Sequence, residues 1–288
     1  MRSSFRIKFL QSEFVRNVLT ILTGAAISQA IILLTSPVIT RLFTPEEMGF
    51  FAIYMSVVSG IVVVVSGRYE IGIVLPKTNE EAYRLIILAF FICSAISLLS
   101  LLIIGLILIL FPGISKWFLM VPLSVILLGL YNIFYNWSNR IKKYRKIAES
   151  RIVNAVVNVM VTIGAGFGKL GSAGLIIGNI SGQVGGNISI TEFKRLREET
   201  KKINCNSLKE VAKKYKDLPR KNSFQALFDM YQLNGLVYLI PVFFSQAIVG
   251  WYAFAMRILQ APVSLIGMAI AQVFYRKASE VYNQQGNL

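Results

Sequence analysis

The segment GNISGQVGGN, residues 178–187, lies within an apolar block, yet it sets Asn179, Gln183 and Asn187 at four-residue intervals. Beside them, Gly174, Gly178, Gly182 and Gly186 recur on the same interval. Side chains four apart share one helix face, so one helix carries a glycine stripe and, about 100° away, an amide stripe. Glycines give a smooth face for close approach of another helix in a membrane. Asn154, Asn158 and Thr162 repeat the polar pattern in the block before it, and Thr20, Gly24, Ser28 and Gln29 do so near the N-terminus. An isolated amide would serve to join two helices. Polar stripes on three separate apolar blocks point instead to a water-filled cavity lined by all three. Two charges also lie within apolar blocks, Asp229 and Arg257. Charges at such depth are costly and face an interior or a cavity. Arg257 is expected to face the cavity, where it can meet an anionic group. Asp229 is expected to make a polar contact near the inner interface, too far in depth from Arg257 for an ion pair.

These stripes must be carried by membrane-spanning helices. The chain has 288 residues, of which 55% are hydrophobic and only 15% charged, against roughly 25% charged in soluble domains. Its apolar residues gather in blocks of about 20, enough to cross a hydrocarbon core of ~30 Å. Eight spans are expected, at 17–39, 48–66, 85–111, 118–137, 152–168, 172–191, 223–244 and 252–274. All are helical, because a segment in lipid must satisfy its own backbone. The fold class is therefore an all-α polytopic membrane protein. The N-terminal stretch reads as the first span rather than a cleaved signal.

Charge gives the orientation. With the N-terminus in the cytoplasm, all but four of the 30 basic residues fall in cytoplasmic segments; the exceptions are Arg41, Lys116, Lys169 and Arg257. This is the positive-inside pattern, and it makes the net charge of +16 a record of topology and of contact with anionic membrane lipids. No stacking aromatics interleave the basic runs, so nucleic acid is not an expected partner. Histidine is absent and Cys93 and Cys205 form no ligand-spaced pair, so no metal or other cofactor is expected. TPEEMG and PGIS read as tight outer turns, leaving no room outside for a catalytic domain. The longest loop, 192–222, is basic and cytoplasmic. Within it SLKEVAKKYKDLP sets Leu208, Val211, Ala212 and Tyr215 on one face, with Ser207 and Glu210 spaced as a capping box at its start and Pro219 at its end.

Several stretches carry a family resemblance. LLTSPVITRLFTPEEMGFFAIY, RYEIGIVLPKTNEEAYRL, YKDLP and PVFFSQAIVGWYAFAMRILQAPVSLIGMAIAQVFY resemble the Wzx-type polysaccharide-biosynthesis flippases for O-antigen and capsule. These belong to the multidrug/oligosaccharidyl-lipid/polysaccharide exporter superfamily. The resemblance implies two six-helix lobes around a central cavity that opens alternately to each side. It implies movement of an undecaprenyl-diphosphate-linked oligosaccharide across the bacterial inner membrane, with a polysaccharide polymerase and glycosyltransferases as partners. Arg257 matches an arginine of the family's eighth-span pattern and Arg41 one after its first span. Both are candidate substrate contacts, with Ser28, Gln29, Asn154, Asn158, Asn179, Gln183, Asn187 and Asp229 along the cavity. On this reading residues 1–191 form the N-terminal six-helix lobe, 192–222 the linker and 223–288 the first two helices of an incomplete second lobe. Relatives have twelve to fourteen spans, so a fragment or truncated gene is expected.

A drug or small-cation exporter of the same superfamily would need buried acids, and only Asp229 qualifies. An enzyme joining or polymerising the same glycan would need reactive groups outside, where the acids are Glu46 and Glu47. A non-functional remnant of a flippase gene is not separable from the first reading on sequence.

Overall fold

The computed structural model describes residues 13–191, 205–260 and 263, and every long element among them is an α-helix. The basic residues Arg2, Arg6 and Lys8, the first part of the linker (192–204), most of the second half of the eighth expected span and the segment 275–288 lie outside the described residues. The helices are α1 (Glu13–Leu42), α2 (Pro45–Val62), the short α3 (Tyr69–Gly72), α4 (Asn79–Leu110), α5 (Val121–Arg140), α6 (Tyr144–Phe167), α7 (Ser172–Ile190), α8 (Cys205–Lys214) and α9 (Ser223–Phe243). A further helix, α10, covers 246–260. Five helical segments, Leu19–Leu42, Asn79–Leu110, Lys116–Arg140, Tyr144–Phe167 and Leu218–Phe243, are long and apolar enough to cross a bilayer. The chain is thus an all-α polytopic membrane protein. Helix is also present in the other three expected spans; polar residues dilute two of them, the acidic first turn of α2 and the amides and glycines of α7.

The boundaries depart from expectation where caps decide them. TPEE is not a turn: Thr44 caps α2, accepting from the Glu47 amide while the Glu47 carboxylate accepts from the Thr44 amide. Pro45 follows in the first turn, where its missing N–H costs nothing. α6 begins at Tyr144, eight residues before the expected start, and α10 begins six residues early. Ser207 lies inside α8 rather than at its cap, and Pro219 sits in a π-turn (Leu218–Asn222) that leads into α9.

One structural seam organises the bundle. α6 packs between α1 and α7. On the α7 side, a methyl group at Gly178 would collide with the Thr162 hydroxyl, and one at Gly182 would lie 2.7 Å from both Asn154 O and Asn158 Cβ. Gly174 lies over Ala165, and Gly186 over Asn154 and Ser150. On the α1 side Gly24 abuts Ala148. The second half of the core joins α2, α4, α5 and α7 through Tyr54, Leu85, Val125, Ile133 and Ile176, with a buried Tyr54–Ser124 hydroxyl pair at 2.8 Å.

The two ends of the bundle differ in chemistry. At one end Arg140 gathers the 73–79 loop, donating to the carbonyls of Ile73, Val74, Pro76 and Thr78 and to Asn79 Oδ1. α8 docks there too. Val211 is buried, the Tyr69 hydroxyl donates to Ala212 O, and Lys214 pairs with Glu81. The other end is made by the 43–44, 111–115, 168–171 and 244–245 connections, where Gln246 Nε2 donates to Glu46 O. The described linker lysines and those around Arg140 all lie at the first, basic end.

Gly182→Ala should lower the stability of the purified protein by about 1–3 kcal/mol, as overpacking does, while Gly164→Ala, where nothing lies within 4 Å, should not; thermal unfolding in detergent measures both. A second expectation concerns α8. The Glu81 carboxylate holds the Lys214 ammonium above its ordinary range. The ion pair therefore contributes fully below the usual lysine value and is lost as pH rises through the raised one. Spin-label distances between positions 80 and 210 should show wild-type α8 more closely held than in Glu81→Gln at neutral pH, with the difference vanishing in strong alkali.

Candidate functional site

Four helices meet to form a cavity of about 310 Å³ in the half of the bundle nearer the basic end. α1 supplies Ala25, Ser28, Gln29 and Ile32; α5 supplies Leu128 and Tyr131; α6 supplies Arg151, Asn154 and Ala155; α7 supplies Gln183. The glycine seam fixes this arrangement. Because Gly182 and Gly186 let α7 lie directly on α6 beside Asn154, Gln183 turns toward the junction with α1 and α5.

The structure sorts the expected amides into two groups. Ser28, Gln29, Asn154 and Gln183 come together on the cavity. Ser28 satisfies its hydroxyl on Gly24 O, four residues back, whereas Gln29 and Asn154 make no hydrogen bond to a described residue. Gln183 is 3% exposed; its Nε2 donates to Asn179 Oδ1 at 2.6 Å, while its Oε1 is buried without a partner. Asn158 and Asn187 are used for packing. Asn158 Oδ1 accepts from the Thr162 hydroxyl at 3.2 Å under the glycine face. Asn187 Nδ2 donates to Leu127 O on α5 and to Gln183 O, both at 2.9 Å. Asn179 serves as the acceptor that orients Gln183.

Arg257 lies elsewhere. It borders a separate cavity of about 140 Å³ between α1, α2, α7 and α10, lined by Ser36, Ile39, Met48, Phe51 and Phe254 among others. With α10 starting at 246, Arg257 stands roughly 16 Å from that helix end at 1.5 Å per residue, near mid-depth rather than close to the interface. Arg41, in the last turn of α1, and Asp229, on α9, are both exposed and border neither cavity. Arg257 and Asp229 form no ion pair.

One charged residue of the larger cavity was missed by sequence reasoning. Hydropathy starts the fifth span at 152 and so leaves Arg151 in a cytoplasmic loop. α6 in fact begins at Tyr144, placing Arg151 roughly 10 Å along the helix. Its guanidinium sits 5.5 Å from the centre of the Tyr135 ring, and no carboxylate of a described residue pairs with it; the nearby Glu149 pairs with Arg145 at 2.7 Å. The signal was available: Arg151 precedes Asn154 by three residues and Asn158 by seven, so it continues the same polar face. Tyr131, whose hydroxyl contacts Ser150 Oγ at 3.2 Å, was also missed.

Among the described residues no cluster of three or more cysteine, aspartate or glutamate residues could hold a metal. The family model described as Polysaccharide biosynthesis protein matches residues 38–288. The chain belongs to that family. That match runs from the last turns of α1 through α10 and includes Arg41, Arg151 and Arg257, but not Ala25, Ser28, Gln29, Ile32 and Ser36, which α1 contributes to the two cavities. No curated protein and no solved structure matches the chain.

The two classes of amide should separate experimentally. Asn187→Ala removes an interhelical bond and should lower stability by about 0.5–2 kcal/mol, whereas Asn154→Ala removes no bond to a described residue and should leave the unfolding temperature close to wild type.

Proposed function

We propose that the chain acts as a flippase that carries an undecaprenyl-diphosphate-linked oligosaccharide from the inner to the outer leaflet of a bacterial plasma membrane. The product would feed O-antigen, capsule or exopolysaccharide synthesis. The observation that carries the reading is a cavity bordered by Arg151 and by the amides of Gln29, Asn154 and Gln183, inside an apolar bundle of a polysaccharide-biosynthesis family member. Asn187 bonds across to α5 and Asn158 bonds Thr162 within α6 under the glycine face. Such bonding does not account for Gln29 and Asn154, whose side chains make no hydrogen bond to a described residue, or for Arg151, which lies against the Tyr135 ring. Polar side chains held in this way at membrane depth mark a solute path, and sugar hydroxyls and a diphosphate suit amides and a guanidinium.

In this reading the basic end faces the cytoplasm, following the positive-inside rule. Residues 1–191 act as one lobe, 192–222 as a linker whose α8 docks on that lobe, and 223–288 as part of a second lobe. Membrane lipids surround the bundle, and the polymerase and glycosyltransferases of the same glycan are its working partners. A drug exporter would require an acid at the cavity, and the larger cavity has none among its lining residues.

Removal of the gene from its host should abolish surface polysaccharide and leave lipid-linked oligosaccharide in the inner leaflet. Restoring the intact reading frame should reverse both effects. Unchanged surface polysaccharide after clean removal, with no second copy of the gene in the genome, would reject the flippase.

A further inference from the structure

We infer that a file of bound water runs along α7, from Gln183 at the four-helix cavity to Thr191 at the basic end. The inference does not rest on the flippase reading, since it concerns how the bundle is hydrated rather than what it carries.

The starting observation is a row of buried oxygens. Gln183, Asn187 and Thr191 recur every four residues and are 3%, 8% and 8% exposed. Gln183 Oε1, Asn187 Oδ1 and Thr191 Oγ1 are each buried and make no hydrogen bond to a described residue. Side chains at this spacing share one helix face, so the three form one line. The Asn187 amide is fixed in its orientation. Its Nδ2 donates to Leu127 O on α5 and to Gln183 O, both at 2.9 Å, and a reversed amide would set oxygen against oxygen twice. Gln183 is anchored at its other end, where Nε2 donates to Asn179 Oδ1 at 2.6 Å.

Buried acceptors call for donors, and ordered water is the usual donor where the protein supplies none. The spacing suits it. Four residues advance a helix by about 6 Å. A water donating to two oxygens at ~2.8 Å each spans about 5.6 Å. One water fits between Gln183 and Asn187, and a second between Asn187 and Thr191, whose hydroxyl can both accept and donate. The row also has two meaningful ends. Gln183 borders the cavity, and Thr191 is the residue that closes α7. The file therefore joins the cavity to the basic end past Leu127, and it gives water displaced by an entering solute a way out. An inorganic cation would also accept a row of neutral oxygens. No carboxylate borders the cavity to balance its charge, and the lysines and arginines of the basic end repel it.

A crystal structure of the full chain, at a resolution that shows ordered water, tests the placement, and Thr191→Val tests the energetics. Valine keeps the shape of threonine and removes only the hydroxyl. In a dry row this deletes a buried group that lacks a partner, and the unfolding temperature should stay level or rise. In a hydrated row it takes a partner from a bound water, and the unfolding temperature in lipid nanodiscs should fall by about 2–4 °C. We expect water density within hydrogen-bond distance of all three oxygens, together with the lower temperature. Empty intervals between the oxygens, or a Thr191→Val protein that unfolds at or above the wild-type temperature, would overturn the proposal. So would a wild-type unfolding temperature that is higher in sodium or potassium chloride than in choline chloride, by an amount that Thr191→Val removes; that result assigns a cation to the row. Should Thr191→Val fail to fold, the density in the wild-type protein decides alone.

Discussion

Close approach of α6 and α7 along the glycine stripe is the constraint on which the rest of the bundle depends. Between helices in lipid there is little hydrophobic drive, so packing and interhelical hydrogen bonds must hold them together. Gly174, Gly178, Gly182 and Gly186 let the α7 backbone rest on Ala165, Thr162, Asn158 and Asn154. That contact fixes the rotation of both helices. It directs Asn187 toward Leu127 O on α5 and brings Gln183 to the junction with α1. With Gly24 pressed on Ala148 from the other side, α6 is clamped between two partners, and its Arg151–Asn154 face borders the remaining space.

At the basic end a different device operates. The 73–79 loop cannot bond its own carbonyls in a regular element, and the Arg140 guanidinium collects them instead. Close by, Glu70 is buried, accepting from Ser66 and lying 3.7 Å from Arg68. The RYEIGIVLPKT stretch that carried much of the sequence resemblance is thus folded at the basic end; α8 rests upon it through Tyr69, and Leu218 of the following π-turn lies over Gly72.

The fold was largely legible because lipid imposes a simple rule: about 20 apolar residues mean a helix. Every expected span contains helix among its described residues. Boundaries were less legible, since caps and amphipathic extensions overrule hydropathy. Thr44, Glu47 and Pro45 look like turn residues in a string of letters, yet their reciprocal hydrogen bonds start a helix. The segment from Tyr144 to Arg151 looks like a basic loop, yet Ile147 and Ala148 are buried on the core side while Arg145 pairs with Glu149 on the other.

That boundary error explains what was missed at the site. Periodicity located the amide faces on three helices, and four of those residues meet at one cavity. It did not separate amides spent on helix contacts from those left free, because the difference lies in rotation about the helix axis, and only the glycine contacts set that. Once α6 is extended to Tyr144, Arg151 falls on the same face as Asn154, and the cavity changes from a neutral polar space to a cationic one. Arg257 then ceases to be the sole cavity-bordering cation to consider. Two arginines on different helices border different cavities, one nearer the basic end and one near mid-depth.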